Sequence, residues 1–157
     1  GVDVKEYSPE ALRSRIGIVP QKAVLFAGTI VENLRWGKKD ASKEEMWKAL
    51  EISQSKEFVE KKDGQLESRI EQGGKNLSGG QRQRVAICRA LAMDAEVIVA
   101  DEPTGALDLS NTESLMDLLE RLNKQGITVI IVTHDPYVAN RCTMEYVIED
   151  GKLSKHA

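Results

Sequence analysis

The sequence predicts an α/β fold, and three features carry that prediction. Two short apolar runs, residues 97–100 and 128–132, are continuous rather than alternating, as in strands covered on both faces of a parallel sheet. Between them lies an amphipathic helix at about 111–123, with Leu115, Leu118, Leu119 and Leu122 on one face and Gly126 as its stop. Strand, helix and strand with a short return make a right-handed crossover unit.

The remaining elements follow in chain order. Residues 1–4 look like the tail of a turn or hairpin. Residues 9–13 form a short helix, with Ser8 as N-cap and Pro9 at the first helical position. A strand over 15–20 ends at Pro20. From 21 to 92 the chain is mostly helical and rich in loops. Ser42 caps a helix over 43–54, whose apolar stripe is Met46, Leu50 and Trp47. Residues 64–75 read as a polar connection. A helix then starts near Gly80 and runs through Val85, Ile87, Cys88 and Leu91. A last strand, 146–149, enters the Asp150-Gly151 turn.

Bulk properties narrow the function. The 157 residues, 41% hydrophobic and 30% charged, suffice for one domain with a real core. No apolar run is long enough to cross a bilayer, and no signal peptide opens the chain. A net charge of −3 gives no electrostatic reason to expect nucleic acid. Arg82, Arg84 and Arg89 read as surface charge and local ion pairs, since only 4% of residues are aromatic and a stacking surface is lacking. Cys88 and Cys142 fit no metal-ligand spacing and read as reduced, packed thiols of a cytosolic protein. The sequon Asn76-Leu77-Ser78 carries no weight without a sign of secretion.

Three segments carry chemistry. Ligands of parallel sheets collect beyond the C-terminal strand ends. The first apolar run ends in Asp101-Glu102, where an aspartate can hold Mg²⁺ and a neighbouring glutamate can polarise a water; the pair can equally cap the next segment. The second ends in Thr133-His134-Asp135, where a histidine can bond a terminal phosphate or serve structure alone. Leu77-Ser78-Gly79-Gly80-Gln81 precedes a helix: Ser78 can cap it, and the glycines let backbone N–H groups approach an anion. An ordinary glycine-rich helix start is the plainer alternative.

Taken in order, Gln21, Leu77 to Gln81, Asp101-Glu102, Ala106-Leu107-Asp108 and His134 resemble the ABC ATPases from Q-loop to switch histidine, over essentially the whole chain. The resemblance implies an ABC-type P-loop NTPase fold that starts just before the Q-loop strand. It assigns a helical subdomain to 22–93 and part of the catalytic core to 1–21 and 94–157. It implies ATP and Mg²⁺ as cofactors. Gln21 looks like the Q-loop glutamine, sensing Mg²⁺ and the attacking water. Ser78, Gly79, Gly80 and Gln81 look like the signature motif, which in the family closes on ATP held by the opposite subunit. Asp101 and Glu102 look like the Walker B aspartate and the catalytic base, Asp108 falls in the D-loop, and His134 is similar to the switch histidine.

Two departures stand beside this. The G-x-x-x-x-G-K-[ST] loop, which cradles phosphates in the family, occurs nowhere in the sequence, so the chain is expected to bind ATP poorly by itself. The resemblance also changes along the chain. Up to Arg84, Ile18-Val19-Pro20-Gln21, residues 24–30 and Asn33-Leu34 resemble exporters fused to their membrane domain. From Ala90 onward, residues 100–108 and Val132-Thr133-His134-Asp135 resemble separate ATPase subunits of the macrolide-export and lipoprotein-release type. A join at residues 77–84 is implied, by natural recombination, sequence assembly or engineering.

The resemblance thus implies transport-coupled ATP hydrolysis at the cytoplasmic face of the cell membrane. Its partners are a second ABC domain, head to tail, and a transmembrane domain met near Gln21 to Asn33, where Val24, Leu25 and Phe26 fit a docking surface or, equally well, burial inside the subdomain. Soluble ABC ATPases of DNA repair or translation share the signature and Walker B but not the exporter-like segment. A non-catalytic fragment pairing with a complete ABC domain is the other alternative.

Overall fold

The computed structural model describes residues 2–155. A 3₁₀ turn at Val4–Glu6 leads into α1 (Pro9–Arg13) and β1 (Ile16–Val19). Then come β2 (Gly28–Thr29), α2 (Ile30–Arg35), α3 (Lys43–Ile52), α4 (Lys56–Glu60) and β3 (Arg69–Ile70). The long helix α5 (Gly79–Ala92) precedes β4 (Val97–Asp101), α6 (Leu109–Lys124) and β5 (Thr128–Val132). The chain closes with α7 (Pro136–Ala139) and the hairpin β6 (Tyr146–Glu149) and β7 (Lys152–Lys155).

Local chemistry explains where the helices begin. Ser8 accepts from the Ala11 N–H at the start of α1, with Pro9 at its first position. Thr29, Ser42 and Ser78 each form a full capping box, with Glu32, Glu45 and Gln81 reaching back to the cap N–H. Helix α3 stops at Ile52, before the predicted 54, because Gln54 takes a left-handed φ of 55°. At the start of the described residues, Asp3 caps the 3₁₀ turn through the Lys5 N–H (2.9 Å), which replaces the predicted turn or hairpin tail; Gly1 lies outside the described residues. The 64–75 connection is less plainly polar than predicted. It buries Leu66 and Ile70 and contributes β3, which pairs antiparallel with β2.

Strands β1, β4 and β5 form a parallel sheet in the order β1-β4-β5, in register Ile16↔Val97 and Asp101↔Val132. Helix α6 makes the crossover between β4 and β5, as the sequence predicts. Buried Val19, Ile98 and Ala100 pack with Ile87 and Ala90 of α5 and Leu115, Leu118 and Leu119 of α6. A second cluster joins Leu25, Ile30, Leu34, Met46, Leu50 and Ile70 to Val85 and Cys88. Helix α5 therefore feeds both clusters from opposite sides, and a helix apolar on both sides is a buried one. Gly17 permits its close approach to β1, since a Cβ there would lie 2.5 Å from the Cβ of Ala90.

The prediction that the strands are covered on both faces is half met. Both α5 and α6 pack on one face. On the other, Ile18 (69% exposed), Ile130 (48%) and Val132 (53%) face outward among the described residues. Arg141 ties the segment after α7 to α6, through Asp117 (2.7 Å) and Glu120 (2.6 Å). Of the two cysteines expected to be packed, Cys142 is exposed, whereas Cys88 is buried and its thiol is pushed up to about 12, mainly by desolvation, so it stays protonated in the core.

Candidate functional site

Strand β4 ends at Asp101, whose side chain is exposed beyond the sheet. The next residue, Glu102, leaves the strand with φ 42° and donates its N–H to the Val132 carbonyl at 2.8 Å. This turn directs the Glu102 carboxylate sideways, onto the end of β5. Its Oε1 accepts from the His134 backbone N–H (2.9 Å) and meets His134 Nδ1 at 2.6 Å. Its Oε2 lies 3.2 Å from the Thr133 hydroxyl. Burial pushes the Glu102 carboxyl up, but the donors from the His134 ring, the His134 amide and Thr133 outweigh it and hold it below the usual carboxylate range. An ionised Glu102 only accepts, so Nδ1 carries the shared proton and Nε2 is left for a ligand. His134 is 87% exposed, as such a role needs.

Gln21 follows Pro20 after β1 and comes to the same end of the sheet. The position of a Cβ on Gly105 would be 3.8 Å from Gln21 Nε2 and 3.9 Å from Glu102 Cβ, so Gln21 borders the loop that follows Glu102. A groove of about 450 Å³ runs from Gln21 and Lys22 past Lys75 and Arg82 to Gly79 and Ala106. Asp101 and Gln21 offer hard oxygen donors, the kind that suit Mg²⁺ alongside substrate phosphates. Among the described residues no group of three or more His, Cys, Asp or Glu side chains could hold a metal by itself.

The Ser78 to Gln81 segment starts α5. Ser78 Oγ accepts from the Gln81 N–H at 3.2 Å and Gln81 Oε1 accepts from the Ser78 N–H at 3.0 Å, so the cap uses acceptor atoms of both side chains and none of their donors. Gly79 lies against the loop before α6: a Cβ there would sit 3.4 Å from the Ala106 carbonyl. Gly80 faces Asn111, whose Oδ1 would be 2.5 Å from an added Cβ. Asp108 is the N-cap of α6, accepting from the Asn111 N–H (2.8 Å) and holding the Asn111 amide with both carboxylate oxygens (3.0 Å each). Asp108, Asn111 and Gly80 thus join the starts of α5 and α6. Gly80→Ala is expected to destabilise the chain by about 1–3 kcal/mol, because Asn111 is tied down and cannot give way freely. Urea unfolding measures this, and a loss below about 0.5 kcal/mol would show that the contact is loose.

Among the described residues, Arg82, Arg84 and Arg89 do not make the predicted ion pairs. Arg82 donates to the Leu77 carbonyl at 2.7 Å, Arg84 to the Ser114 hydroxyl at 2.7 Å, and Arg89 to the Val24 carbonyl at 2.9 Å. Half-buried guanidinium groups with several donors tether loops and helices here, and Arg89 also lies 5.8 Å over the Phe26 ring. Leu25 is buried in the helical cluster, while Val24 and Phe26 are exposed. Asn33 explains the difference. It accepts from the Phe26 N–H (2.9 Å) and donates to the Phe26 and Thr29 carbonyls (2.9 and 3.0 Å), holding the loop so that Phe26 faces out. Phe26 stacks on Trp36 with ring centroids 4.3 Å apart.

Sequence reasoning did not single out Thr133, Gly105 or Asn111 as site residues. Thr133 stands beside His134 in the sequence, but its meeting with Glu102 depends on the β4–β5 register.

Residues 1–105 match the family model described as "ABC transporter". ABC transporter B family member 21 of Arabidopsis thaliana is 36% identical over 153 residues, which is 98% of this chain and 12% of that protein. The ATP-dependent lipid A-core flippase of Vibrio vulnificus (strain CMCP6) is 37% identical over 154 residues, covering 98% of the chain and 26% of the flippase. A bacterial Atm1-family ABC exporter solved with ATP bound superposes with a TM-score of 0.84 at 30% identity, over 98% of this chain and 27% of the exporter. The chain spans about a quarter of the bacterial relatives and less of the plant one. A match of this length, on a sheet that carries the Asp101-Glu102 and His134 strand ends, means that the chain belongs to the ABC transporter family.

Proposed function

We propose that this chain forms the part of an ABC ATPase domain that carries the catalytic base and the signature segment, and that ATP hydrolysis there drives transport. The observation that supports this best is the strand-end pair: Glu102 held at 2.6 Å by His134, one residue after the exposed Asp101. Glu102 takes the role of catalytic base, accepting a proton from the attacking water at a carboxylate oxygen. His134 orients Glu102 through Nδ1 and offers Nε2 to the reacting phosphate. Asp101 and Gln21 would hold Mg²⁺, which supplies charge neutralisation at the phosphates when bound.

Ser78, Gly79, Gly80 and Gln81 act on the nucleotide of a second ABC domain placed head to tail. The cap uses only acceptor atoms of Ser78 and Gln81, so the Ser78 hydroxyl and the Gln81 amide donors carry that role together with the glycine backbone and the helix N-terminus. Asp108 contributes by fixing the start of α6 beside them. The two buried clusters support a division into a helical subdomain at about 22–93 and a partial catalytic core at 1–21 and 94–157. The transmembrane partner docks on the groove of about 600 Å³ around Phe26, Arg35 and Trp36, where the 66% exposed Trp36 offers an aromatic face. On this reading the chain works at the cytoplasmic face of a membrane.

Mg²⁺-dependent ATP turnover tests the reading, measured on the chain alone, on the chain mixed with an intact family domain, and on an intact transporter carrying this sequence. Turnover in the intact protein that depends on Glu102 supports it. An intact protein that neither binds nor hydrolyses ATP would sink it.

A further inference from the structure

We propose that Thr133 is a positioning residue for the Glu102 carboxylate, fixing the rotation of the carboxylate plane through a hydroxyl that is itself oriented by the Asp135 amide. Three contacts carry this. The Asp135 N–H donates to Thr133 Oγ1 at 3.1 Å, which uses one lone pair of the hydroxyl. The hydroxyl hydrogen is then directed to Glu102 Oε2 at 3.2 Å, because an ionised carboxylate can only accept. The other oxygen, Oε1, is held from the far side by the His134 amide and ring.

The terminal torsion of a glutamate is broad and nearly free to turn. The two oxygens turn together about the Cγ–Cδ bond, so donors to Oε1 alone restrain the plane at one edge only. A donor on each oxygen fixes the plane, and with it the lone-pair direction that meets a water. A chain of hydrogen bonds from Asp135 through Thr133 to Glu102 also strengthens each member. The register places the two residues together: Asp101 pairs with Val132, so Glu102 and Thr133 leave adjacent strand ends side by side.

The catalytic consequence rests on the reading of Glu102 as base, whereas the positioning contact does not. Thr133→Val keeps the shape and removes the hydroxyl; Thr133→Ser keeps the hydroxyl, and Thr133→Ala is the second hydroxyl-free variant should valine perturb folding. Amide proton shifts and exchange rates measured by NMR on the full chain read the contact. In the hydroxyl-free variants the His134 amide is expected to exchange at least ~3-fold faster as the carboxylate loosens, with Thr133→Ser unchanged. A Thr133 that served only the local turn would move the Asp135 amide and leave His134 as it was, and that result overturns the proposal. In an intact transporter carrying this sequence, Thr133→Val is expected to lower kcat about 10-fold with the KM for ATP within about twofold, and Thr133→Ser to restore it. An equal loss in the serine variant, or a change in KM alone, also overturns it. If Glu102→Gln leaves turnover intact, the base assignment fails instead, and the His134 amide still decides the contact.

Discussion

Glu102→Gln is expected to reduce Mg²⁺-dependent ATP turnover in an intact protein carrying this sequence by about 10²–10³-fold, with nucleotide affinity nearly unchanged. Glutamine keeps the volume and one acceptor oxygen, so the His134 amide retains a partner at the position now 2.9 Å away. The amide nitrogen can face the Thr133 hydroxyl, which accepts as well as donates. What is lost is the proton acceptor. Steady-state turnover and equilibrium nucleotide binding, measured on the same preparation, separate the two effects. Turnover within twofold of the parent would remove Glu102 from the mechanism. The same variant has an acid signature. The folded Glu102 carboxyl lies below its unfolded value, so its contribution to stability is complete above the ordinary carboxylate range and disappears as pH falls through the lower folded value. The glutamine variant lacks that dependence, and the stability difference between the two proteins should shrink on acidification.

Leu118→Ala is expected to cost about 2–5 kcal/mol, a large fraction of the stability of an ordinary domain. Leu118 is fully buried on the face of α6 that meets β1, β4 and α5 through Val19, Ile98, Ala100 and Ile87. Truncation removes its contacts and leaves a cavity between elements that are each held elsewhere. Denaturant unfolding measures the loss. The effect reaches the site as well, since α6 begins at the Asp108 cap that holds Asn111 against Gly80. A loss under about 1 kcal/mol would mean that the cluster closes around the gap and does not hold α6 rigidly.

Much of this architecture was legible in the residues. Ser8, Ser42 and Ser78 announce helix starts because a cap acts on an N–H only three positions away. The apolar runs at 97–100 and 128–132 announce strands because burial of a short segment demands consecutive apolar residues. The leucines of α6 declare its buried face by their spacing alone. Family membership, too, followed from the order of short motifs. The functional roles of Gln21, Asp101, Glu102 and His134 rest on that resemblance, and the structure adds the distances among some of them.

The misreadings have a common origin. Arg82, Arg84 and Arg89 looked like surface charge, yet each reaches a carbonyl or hydroxyl, Arg84 on α6 and Arg82 and Arg89 on loops. Leu25 and Phe26 fitted docking and burial equally well in the sequence, and Asn33 holds the loop so that Leu25 turns inward and Phe26 outward. The strands looked covered on both faces, because composition records how apolar a strand is and not what lies against it. The sequence by itself determined β1, β4, α6 and β5 in order, the starts of α1, α3 and α5, and the family, since caps, periods and motifs act over a few residues; the short elements α2, α4, α7, β2 and β3 were not legible in it. Only the tertiary structure decided that Glu102 meets Thr133 and His134, that Asn111 closes on Gly80, and that Ile18, Ile130 and Val132 are exposed on one sheet face among the described residues. Those facts depend on strand register and helix approach, which join residues about 30 positions apart through backbone geometry that no local pattern encodes.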